Sequence, residues 1–167
     1  MLFRSGEESG VALLRVDDPL GCRFLPANAP ALELPRAAGF RPWVLDGYSP
    51  LGWAPEPSEG KGLLPPWTRA GIQRGPVLLQ LFVRGNPFRG SASGREPWLA
   101  WIQQLLQEER LAGLVVYGSP YLWQSLRQIL PAGLPAAWSP GQMLQAQALA
   151  LSRLGLVPEQ SGGGFTD

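Results

Sequence analysis

The residues best equipped for chemistry in this sequence are few, and the most common ones are missing. There is no histidine among the 167 residues and only one cysteine, Cys22. That excludes Ser-His-Asp and Cys-His hydrolysis, histidine acid–base catalysis and nearly every zinc site. Cys22 has no internal disulfide partner, and no metal ligand set is expected. Neither G-x-x-x-x-G-K-[ST] nor G-x-G-x-x-G occurs, so no phosphate-cradling loop or resident cofactor is expected either.

Carboxylates are the remaining route to hydrolysis, and that route needs a facing pair. Glu96 reads as a helix cap and Glu108 and Glu109 as a solvated face. Asp17 follows one apolar run and Asp46 ends another, so these two are hardest to dismiss, although their spacing does not make them face each other. A second candidate is the polar loop Arg84-Gly-Asn-Pro-Phe-Arg89-Gly-Ser91. Arg84 and Arg89 suit carboxylate, phosphate or sugar hydroxyl, and Asn86 can fix a hydroxyl as donor and acceptor. The structural alternative is that Gly-Asn-Pro shapes the loop while the arginines pair with neighbouring carboxylates. Tyr117-Gly-Ser-Pro-Tyr121 and Trp138-Ser-Pro-Gly141 occupy equivalent places further on, which makes Tyr117 and Trp138 candidates for ligand or domain contact. Their serines are most simply helix caps. Of the tryptophans at 43, 53, 67, 98, 101, 123 and 138, Trp98 and Trp101 fall on an apolar helical stripe, whereas Trp53 and Trp67 suit a sugar platform or, more simply, a contact with another domain.

Positioning these groups falls to alternating elements. Val77–Val83 is an apolar, β-rich run of the kind covered on both faces. Ser93-Gly-Arg-Glu96 fits a capping box, and Trp98, Trp101, Ile102, Leu105 and Leu106 follow at helical spacing, which predicts a helix from about Arg95 to Leu111 stopped by Gly113. Leu114–Tyr117 forms the next strand. Ser119-Pro120 caps a second helix with the stripe Leu122, Leu126, Ile129 and Leu130. Leu134–Trp138 is a third strand, and Ser139-Pro140-Gly-Gln142 opens a last helix running to Leu154, with Gly155 as its stop.

This βαβαβ rhythm over residues 77–154 predicts an α/β fold, a mostly parallel sheet covered by helices on both faces. Val11–Val16 and Trp43–Asp46 add two strands upstream. The expected organisation is one α/β sandwich domain over residues 1–160, with an irregular Pro- and Trp-rich connection at about 49–74 and a flexible tail at 161–167. Lysine and arginine number 14 against 13 acidic residues, so no field favours nucleic acid or anionic lipid. No apolar run reaches the roughly 18 residues of a membrane span, and Met1-Leu-Phe-Arg-Ser-Gly-Glu-Glu8 does not read as a signal peptide. A cytoplasmic chain, off the membrane, is the default expectation.

Taken in order, Leu14-Arg-Val-Asp-Asp18 with Phe24-Leu-Pro26, Pro30-Ala-Leu-Glu-Leu-Pro35, Leu81-Phe-Val-Arg-Gly-Asn-Pro-Phe88, Gly113-Leu-Val-Val-Tyr-Gly-Ser-Pro-Tyr121 and Ser139-Pro-Gly-Gln-Met143 resemble the C-terminal α/β sandwich domain of glycoside hydrolase family 3, particularly bacterial β-glucosidase-related and β-N-acetylhexosaminidase-like members. The resemblance covers about Ala12 to Leu156. It implies carbohydrate metabolism as the setting and a glycosidase as the parent. It also implies that the nucleophilic aspartate belongs to a separate N-terminal TIM barrel, so no catalytic residue is carried over onto this chain. The first expectation is a non-catalytic accessory domain that packs on or completes a TIM-barrel domain or subunit. The alternatives are a stand-alone carbohydrate-binding or pseudoenzyme module holding a β-linked glycan, and a small hydrolase using Asp17 or Asp46.

Overall fold

The computed structural model describes residues 10–16, 22–45, 75–83 and 98–158. Five parallel strands form one sheet: β1 Val11–Val16, β2 Arg41–Leu45, β3 Val77–Val83, β4 Leu111–Gly118 and β5 Ala136–Ser139, in the order β2-β1-β3-β4-β5. Among the described residues four helices accompany them: α1 Pro30–Ala37, α2 Trp98–Gln107, α3 Pro120–Arg127 and α4 Leu144–Ser152. The predicted α/β sandwich is therefore the fold.

Strand order decides which face each helix covers. The chain moves one way from β1 to β2 and the opposite way from β3 through β5, and right-handed crossovers then place the intervening helices on opposite faces. Accordingly, Ala31 and Leu32 of α1, Ala150 and Leu151 of α4 and Leu154 just beyond it pack with Leu14, Leu78, Phe82, Val115 and Tyr117 on one face. Trp101, Ile102 and Leu105 of α2 and Leu122 and Leu126 of α3 pack with Leu13, Leu79, Leu81, Leu114 and Val116 on the other. The central strands β1 and β3 are buried along their whole length, as runs that are apolar except at Arg15 and Gln80 require.

Helix α1 lies outside the elements expected from the sequence. Two prolines disguise it. Pro30 sits at the first helical position, where a missing amide costs nothing. Pro35 sits inside the helix, where it removes the donor for the carbonyl of Ala31. The helix closes at Gly39, held at φ 93, with the Phe40 amide donating to Pro35 O at 2.9 Å and the Gly39 amide to Arg36 O at 3.0 Å, the pairing of a Schellman cap.

The predicted helix at 95–111 ends sooner than expected, at Gln107. Its stop is Glu109, which takes the left-handed φ of 55, and the Arg110 amide then donates to Leu105 O at 2.8 Å. Leu111 already belongs to β4. Gly113, expected as the helix stop, pairs with Leu78 inside the sheet after a register shift. A Cβ there would lie 3.0 Å from Leu154 Cδ2 and 3.1 Å from Leu78 Cδ1, so the glycine serves close packing of α4 on the sheet. The capping box at Ser93–Glu96 lies outside the described residues.

Candidate functional site

In open parallel sheets, ligand and contact sites gather beyond the carboxyl ends of the strands, above all where the strand order reverses. Here the reversal falls between β1 and β3, whose ends are Val16 and Val83. Asp17, Asp46, Arg84, Asn86, Arg89, Trp53 and Trp67 lie outside the described residues. Tyr117 and Trp138 are placed, each on the strand expected from the sequence.

Tyr117 lies on the strand expected to contain it, one residue before that strand's end. It is wholly buried. Its ring stacks on Phe82, its partner across the β3–β4 register, with centroids 4.3 Å apart. Burial pushes its phenol well above the usual tyrosine range, so the hydroxyl stays protonated and donates to Gln80 Oε1 at 2.9 Å.

That bond opens a closed circuit. Gln80 Nε2 donates to Ala31 O at 2.8 Å, and the Ala31 amide donates to Gln147 Oε1 at 3.1 Å. Gln147 Nε2 donates to Phe24 O at 2.6 Å and to Gln142 O at 2.9 Å. Gln142 Nε2 returns to the carbonyl of Tyr117 at 3.3 Å. Five residues from two strands, two helices and the turn after β5 thereby form a ring, with Phe24 of the segment before α1 attached to it. Gln80 and Gln147 are fully buried, yet both side-chain amides are satisfied, as buried polar groups must be. Sequence reasoning missed these glutamines. The available signal was Gln80, the one polar residue in the apolar run Val77–Val83.

The two serines at the carboxyl edge are structural. Ser119 Oγ accepts from the Leu122 amide at 3.2 Å, the expected cap of α3. Ser139 differs from the prediction. It ends β5, and its Oγ accepts from the Gly141 amide at 3.3 Å to close a turn. Helix α4 begins later, behind Met143, because Pro140-Gly-Gln142 is spent bringing Gln142 to Tyr117. Trp138 leans from edge strand β5 onto the α2–α3 face, partly buried. Its Nε1 is buried without a hydrogen-bond partner, and its carbonyl accepts from Arg153 at 3.4 Å.

Carboxylates among the described residues are Glu33, Glu108 and Glu109. Glu33 pairs with Arg36 at 3.5 Å on exposed α1, while Glu108 binds Arg110 at 3.3 Å beyond the end of α2. They stand on helices of opposite faces, so the described residues provide no pair flanking a common cleft. No group of three His, Cys, Asp or Glu side chains able to hold a metal ion occurs among them.

A scan of family models matches residues 4–155 to the bacterial glycosyl hydrolase family 3 C-terminal domain. The chain belongs to this family. The match takes in the five strands and four helices found among the described residues. No curated protein matches it. In this family 3 C-terminal domain the sequence segments that carried the resemblance have identifiable structural work: Pro30–Pro35 is the proline-bearing helix α1, and Gly113–Tyr121 is β4 with the capped start of α3.

Proposed function

We propose that the chain is a non-catalytic accessory domain of a family 3 glycoside hydrolase-like protein, packing on or completing a separate TIM-barrel catalytic domain. The family match carries this reading. It identifies the C-terminal domain across residues 4–155, and a five-stranded open sheet of this kind is not itself a TIM barrel.

Chemistry supports the same reading. The sequence has no histidine, the serines described at the carboxyl edge are occupied, Ser119 as a helix cap and Ser139 in a turn, and Tyr117 is locked as a buried donor. The described part of the site is a scaffold that fixes the carboxyl edge. The test is hydrolysis of p-nitrophenyl β-glycosides by the purified chain alone, then mixed with a family 3 barrel from the same genome supplied as a separate chain. Activity found only with the barrel supports the accessory role. Turnover by this chain alone refutes it and directs attention to Asp17 and Asp46.

A further inference from the structure

We draw no further inference here: the strongest candidate, the surface patch of exposed Tyr121, Met143 and Leu144 at the carboxyl edge where α3 and α4 begin, carries nothing because nothing in the structure shows what covers it.

Discussion

Gln80 Nε2 lies 2.8 Å from the carbonyl oxygen of Ala31, the oxygen that the amide of residue 35 would bind in an uninterrupted helix. Residue 35 is proline and has no amide. A buried side chain from strand β3 thus replaces the missing donor of helix α1, and the same side chain accepts from Tyr117. The local defect in the helix becomes a bond between helix and sheet.

This substitution of donors is measurable. Gln80→Leu leaves Ala31 O and the Tyr117 hydroxyl without partners in a dry environment, at a cost of roughly 2–5 kcal/mol. Pro35→Ala restores an amide that can reach Ala31 O. The double variant should therefore be more stable than the sum of the single changes by about 1 kcal/mol. Urea unfolding of the four proteins gives the coupling, and strict additivity would show that Gln80 does not stand in for the proline.

Two glycines with left-handed backbone separate strain from collision. Gly39, at φ 93, has open space where a Cβ would stand, so Gly39→Ala should cost about 1–2 kcal/mol of backbone strain alone. Gly118, at φ 112, would drive its Cβ into the carbonyl oxygen of Val83. There the strain and the overlap add, and Gly118→Ala should cost roughly 3 kcal/mol or more. Glu109, exposed at φ 55, offers the reverse experiment. Glu109→Gly should stabilise by up to about 1 kcal/mol, and denaturant midpoints report all three.

The buried phenol of Tyr117 makes stability fall in alkali. Its folded pKa is raised by burial, whereas the unfolded chain releases that proton near the ordinary value of about 10. Above that pH the unfolded state binds fewer protons than the folded one, so unfolding becomes easier by about 1.4 kcal/mol per pH unit. Below it this group contributes no pH dependence. Tyr117→Phe should flatten the alkaline limb of a stability–pH profile while lowering the neutral plateau through the lost bond to Gln80. An unchanged alkaline slope would contradict the assignment.

Most of the sheet was legible from sequence, and the reasons for the failures are physical. Val11–Val16 and Val77–Val83 were readable because central parallel strands are apolar on both faces, and Ser119-Pro120 because a cap followed by proline has one simple meaning. Helix α1 was hidden because its stability at Pro35 depends on Gln80, 45 positions away in sequence. The stop at Glu109 was hidden because a glutamate takes the left-handed turn normally given to glycine, leaving Gly113 for the sheet. At the site, the sequence singled out Tyr117 and Trp138, but alternation along a strand does not tell a buried tyrosine from one facing a ligand. Gln142 and Gln147 matter only through their contacts with Tyr117, Ala31 and Phe24, which no local pattern announces.

The accessory role is tested most directly by holding a family 3 barrel at fixed concentration, adding increasing amounts of this chain, and following release of p-nitrophenol from a β-glycoside. The account predicts that the chain alone is inactive and that barrel activity rises and saturates near one equivalent. Hydrolysis by the chain alone, or a barrel rate indifferent to its addition, would contradict it.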